Sequence, residues 1–62
     1  MKDAKITPLT VQQYEEISED IYDEVDRLEY AGTIATKCAK HPEHGDIILV
    51  SSTDGGHLMI HF

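Results

Sequence analysis

With 62 residues the chain makes one domain, residues 1–62, whose core supplies only about 3–5 kcal/mol unless a metal, a disulfide or a second subunit adds to it. At 40% hydrophobic and 27% charged residues it is not compositionally disordered, and no apolar run is long enough to span a bilayer. Twelve acids against five Lys/Arg leave a net charge of −7, which opposes direct contact with nucleic acid or an anionic membrane and suits a basic protein surface.

Met1-Lys2-Asp3 is not followed by a secretory hydrophobic region, and a single cysteine, Cys38, provides no internal disulfide framework. A reducing, cytoplasmic location is therefore expected. The stretch KDAKIT, residues 2–7, is compatible with a short edge strand, and Pro8 keeps the chain before the first helix out of helical conformation.

The helix start is explicit. Thr10 and Gln13 have the spacing of a capping box, with Leu9 and Tyr14 at the hydrophobic-staple positions. Tyr14, Ile17, Ile21, Val25 and Leu28 then recur at spacings of 3, 4, 4 and 3, with Val11 and Tyr22 widening the stripe. The pattern predicts one amphipathic helix from Val11 to Tyr30, closed by Gly32 as a left-handed cap.

Beyond Gly32 the period changes. TIATKCAK is expected as a strand with Ile34, Thr36 and Cys38 on one face, HPEHG as a turn, and DIILVSS as the central strand. Asp54-Gly55 is a type I′ hairpin signal leading into the last strand, HLMIHF. A two-residue loop there would pair Leu49 with Ile60 and Ile47 with Phe62, placing these four and Leu58 under the helix. Ile48, Val50, His57, Met59 and His61 would then share the other side. Adding Gly56 to the loop changes the pairing but keeps His57, Met59 and His61 together. The expected fold is α+β: an N-terminal acidic helix packed on a three-stranded antiparallel meander, in the order α-β-β-β. One helix cannot cover both sheet faces, so a homodimer is expected through Ile48, Val50, His57, Met59 and His61, or through the terminal strand edge.

Eight of the twelve acids fall between Val11 and Tyr30, beside one base, Arg27. On a continuous helix Glu15, Glu19 and Asp23 form one row and Glu16, Asp20 and Glu24 the next, with Asp26 and Glu29 near the negative end of the helix dipole. Each of the four like-charge contacts in those rows costs about 0.2–0.5 kcal/mol before screening. Rows of carboxylates about 5–6 Å apart imitate the charge density of a nucleic-acid backbone. These eight acids are thus candidate contacts for the basic groove of a partner, such as a nucleic-acid-binding enzyme or complex. Nucleic-acid-mimicking inhibitors encoded by phages, including anti-CRISPR proteins, use that device. The expected role is a non-enzymatic acidic inhibitor or adaptor.

The segment YEEISEDIYDEVDRLE also resembles the acidic first helix of frataxins, and DIILVSSTDGGHLMIHF is similar to the glycine-turned hairpin that follows it. That resemblance covers roughly residues 14–62 and implies a metal-binding or iron-handling module whose acidic ridge binds iron and basic surfaces of iron–sulfur assembly proteins. The segment between helix and hairpin fits poorly, and the later Asn-Lys-Gln and tryptophan-containing strands have no counterpart. A structural homodimer module is the third alternative.

Cys38, His41 and His44 have the spacing C-x2-H-x2-H, and His57 and His61 follow as H-x3-H. His57 and His61 on one strand lie about 13 Å apart, too far for one ion. Cys38, His41, His44 and one histidine of the last strand form the remaining zinc candidate; otherwise Cys38 is a small core residue, and no cofactor is expected. His57 and His61 would suit a pH-sensitive interface. Enzyme signatures are missing: Ser51-Ser52-Thr53 lacks a nucleophile elbow, Cys38 with His41 lacks an orienting group, and TDGGH reads as a turn with no following helix to bind an anion.

Overall fold

The computed structural model describes residues 3–62; Met1 and Lys2, and with them the start of the KDAKIT stretch and of the Met1-Lys2-Asp3 segment, lie outside the described residues. Five strands and one helix follow in the order β1 (Lys5–Leu9), α1 (Val11–Asp20), β2 (Val25–Ala31), β3 (Ile34–His41), β4 (Gly45–Ser52) and β5 (His57–His61). The strands form one antiparallel sheet in the order β1-β5-β4-β3-β2. This corrects the three-stranded meander: DIILVSS is central as expected, but a strand is added at each edge.

The correction begins at the helix. Its start is as read: Gln13 N–H donates to Thr10 Oγ1 at 3.1 Å, and Thr10 N–H donates to Gln13 Oε1 at 2.9 Å. Its end comes after three turns rather than six, and Ile21 is the C-cap. Tyr22 N–H donates to Glu19 O at 3.3 Å and Glu24 N–H to Ile21 O at 2.8 Å, tightening the chain into a turn. VDRLEYA then pairs with β3 as an edge strand. The helical spacing of Val25 and Leu28 arises from a β-bulge, because Asp26 is an extra residue between the pairs Val25–Ala39 and Arg27–Cys38. With that residue inserted, Val25, Leu28 and Tyr30 fall on one side of a strand. Two causes favour this outcome. Prolonging α1 would extend both carboxylate rows and bring Asp26 and Glu29 to the negative helix end. Strand pairing instead satisfies the outer backbone groups of β3.

Gly32 keeps a positive φ of 62°, but as the first central residue of the two-residue β2–β3 hairpin, the position that a type II′ turn reserves for glycine. It is not a helix cap. The frataxin-like correspondence also loses its basis, since residues 21–29 are turn and strand.

The β4–β5 hairpin shifts the faces. No residue other than glycine has positive φ among the described residues, so Asp54 does not enter the conformation that a type I′ turn requires. Ser52 N–H instead bonds Gly56 O at 2.9 Å, Gly55 N–H returns to Ser52 O at 3.0 Å, and Gly55 takes φ 95°. The loop has one residue more than the two-residue turn, and Leu49 pairs with Met59 and Ile47 with His61. The side chains of β5 are thereby inverted with respect to β4. His57, Met59 and His61 lie on the helix side, and Leu58 and Ile60 join Ile48 and Val50 on the other.

The core consists of Ile21, Ala39, Ile47, Leu49 and Met59, with Leu9, Tyr14, Ile17 and Val25 packed around it. Ile21 and Leu49 are completely buried; each such side chain contributes about 1.5–3 kcal/mol. Among the described residues, no helix is long and apolar enough to cross a membrane.

Candidate functional site

All eight acids singled out from the sequence are exposed, but on three different elements. Glu15, Glu16, Glu19 and Asp20 belong to α1, Asp23 and Glu24 to the turn after it, and Asp26 and Glu29 to edge strand β2. Only two of the four expected like-charge contacts therefore persist, Glu15 with Glu19 and Glu16 with Asp20. The acids form a band along the helix, around the turn and onto the sheet edge. Within it Arg27 Nε pairs with Glu29 Oε1 at 2.8 Å, with both side chains largely exposed.

Where α1 ends and β2 begins, Ser18, Glu19, Tyr22, Val25, Leu28 and Lys37 line a cleft. The helix crosses the sheet without covering β2, which leaves Tyr22, Leu28 and Tyr30 exposed by 81%, 47% and 74%. This corrects the expected helix, in which Tyr22 and Leu28 belong to the apolar stripe and Tyr30 is the last residue. The available clue was the L-x-Y alternation after Arg27, which the bulge obscured. Lys37, whose Nζ lies 5.5 Å from the centre of the Tyr14 ring, is the base on the cleft wall.

The histidines sit at the helix side of the sheet. His41 is 4% exposed. Its Nδ1 accepts from the amides of Glu43 at 3.0 Å and His44 at 3.2 Å, and its Nε2 lies 3.1 Å from Asp20 Oδ2. Two donors at Nδ1 place the proton on Nε2, which donates to Asp20. The last helical residue is thus tied to the β3–β4 turn. His41 and His44 rings lie 4.6 Å apart, His44 and His61 5.9 Å, and His57 stacks on Tyr14 at 4.7 Å.

The zinc candidate does not assemble. Cys38 and His41 are an odd number of residues apart on β3 and project to opposite faces, and both His41 nitrogens are already engaged. Among the described residues, no three His, Cys, Asp or Glu side chains are grouped as metal donors. The same separation removes the Cys38–His41 pairing considered for nucleophilic chemistry, and half-buried Cys38 lies on the sheet face away from the helix rather than in the core.

The five residues expected at a dimer interface are also divided. Ile48 and Val50 lie on the uncovered face, whereas Met59 is buried in the core at 4% exposure and His57 and His61 are partly covered on the helix side. A pH-sensitive pair on the uncovered face is thereby excluded.

Residues 4–27, fewer than half of the chain, match the family model described as the Spa2 homology domain (SHD) of GIT. No curated protein and no solved structure matches.

Proposed function

We propose that this chain is a non-enzymatic binding module, an inhibitor or adaptor, that engages the basic surface of a partner protein through its acidic band. The observation that carries the proposal is the cleft at the end of α1, where exposed Tyr22 and Leu28 stand beside Glu19 within the band of exposed carboxylates. Aromatic side chains in a partly apolar cleft supply contact area, while surrounding charge gives steering and register. A groove lined by Lys and Arg, such as one that itself holds nucleic acid, has the complementary chemistry.

Capture from a native lysate, with identification of the bound protein and competition by a short DNA duplex, tests this. Wild-type capture should fall at about 0.5 M salt, where the Debye length shrinks to a few ångströms. It should also fall for Glu19→Lys combined with Asp23→Lys, and for Tyr22→Ala. Binding that survives both the salt and the charge reversals refutes the proposal. Loss of binding without competition by DNA would retain an acidic contact and reject mimicry of nucleic acid.

A further inference from the structure

The sheet face away from α1 is apolar, and no element among the described residues covers it. Directly opposed pairs place Ile48 beside Ile60 and Cys38, and Val50 beside Leu58 and Thr36, with Ile6 and Ile34 toward the two edges. Ile6, Ile34 and Phe62 are exposed by 66%, 43% and 50%. We propose that this face binds a second copy of the same chain, sheet against sheet, in a two-fold dimer.

Area supports the assignment. The solvent-accessible surface is 4620 Å² for a 7.0 kDa chain, against about 4,000 Å² for a compact monomer of that mass. Five strands spaced about 4.8 Å apart and rising about 3.3 Å per residue present a face of roughly 500 Å² in projection, before side-chain relief is added. Two such faces together bury about 1,200 Å², the lower bound of specific interfaces.

Charge selects the occupant. Among the described strand residues, Arg27 with Glu29 and Lys40 with its cross-strand partner Asp46 are the charged groups on this face, and they sum to zero. A chain of net charge −7 would repel its copy across the acidic band. Back to back, the sheets would lie about 10 Å apart with a helix layer outside each, separating the helical acids of the two copies by about 30 Å, several Debye lengths. The edges are unsuited to joining copies, since β1 carries Pro8, which has no amide, and β2 carries a bulge and acids. The face remains.

Sedimentation equilibrium of the full chain tests this. At about 100 µM, a concentration suited to a small interface, the expected mass is twice 7.0 kDa. Ile34→Glu and Phe62→Glu, both at exposed positions where folding tolerates the change, should return monomers. Tyr30→Glu, on the other side of the sheet, should leave the dimer intact. As a second readout, alkylation of Cys38 should slow at least about 10-fold between dilute and dimeric samples, as expected from occlusion of a thiol. A monomer at that concentration, or a dimer broken by Tyr30→Glu and retained by Ile34→Glu, overturns the proposal.

Discussion

Replacement of His41 probes the residue that, among the described residues, is polar, buried and joins the helix to the sheet. His41→Ala removes the acceptor of two turn amides, each bond contributing about 1 kcal/mol. It also empties a ring site that is 4% exposed, at a further cost of about 1–2 kcal/mol. The total of about 3–4 kcal/mol is comparable to the whole stability expected at this size, so the variant should be largely unfolded. His41→Asn is more informative. Its side-chain oxygen accepts from amides two and three residues on, as in an Asx-turn, but it does not restore the contact with Asp20. Its loss should be about 1–2 kcal/mol, from the emptied ring volume and the missing bond. Asp20→Asn retains an acceptor for Nε2–H; because the Asp20 side chain is 56% exposed, solvent screening holds the loss below about 1 kcal/mol. Urea unfolding followed by circular dichroism provides the energies, and imidazole nitrogen shifts report the tautomer. Equal stability of wild type and His41→Ala, or a proton found on Nδ1 of His41, would refute this account of the turn.

Three further substitutions separate local causes, each read by the same unfolding assay. Thr10→Ala removes one half of the capping box and should cost about 1 kcal/mol. A Cβ at Gly32 would meet no atom within 4 Å, so the loss of about 1–2 kcal/mol expected for Gly32→Ala is conformational, from a φ of +62°. Gly32→Asn should lose less. Ser18 Oγ is buried without a hydrogen-bond partner among the described residues, so Ser18→Ala should raise stability by about 0.5–1.5 kcal/mol through removal of that group and better helix propensity. Unchanged or lowered stability would show that the hydroxyl is satisfied in solution.

What the residues declare locally is legible in the sequence, and what depends on pairing is not. The capping box at Thr10 involves four consecutive residues and is found in the structure unchanged. Strands β3, β4 and β5 follow from alternation and from glycine positions, and the edge strand suspected near Ile6 exists. The end of the helix was concealed because one bulged residue, Asp26, turns strand spacing into helix spacing over Val25 and Leu28. The sheet faces of β5 depended on the conformation of Asp54, one residue in one loop. The acids were legible as charge but not as a layout, since their arrangement follows from where the helix stops. The exposed cleft of Tyr22 and Leu28 was hidden for the same reason. In the sequence His41 reads as a turn histidine and zinc candidate, because its partner Asp20 is 21 residues away and only the fold brings them together.

The helical acids of the band, Glu15, Glu16, Glu19 and Asp20, and the apolar face lie on opposite sides of one sheet, with Glu29 beside that face paired to Arg27, which makes the two proposed contacts separable. In a back-to-back dimer the helical acids of the two copies face away from each other, about 30 Å apart by the layer spacings. A single basic groove cannot reach both, so dimerisation adds no avidity toward one partner molecule. The partner should therefore bind one molecule per chain, and the monomeric Ile34→Glu variant should bind it as tightly as wild type. Steering is the exception, because it depends on the summed field: a dimer carries twice the charge, and association should accelerate modestly at low salt. Calorimetry with wild type and Ile34→Glu against the captured partner measures both stoichiometry and affinity. A large loss of affinity in the monomer would mean that the partner contacts both chains or the apolar face itself, and the acidic band would then be only part of its footprint.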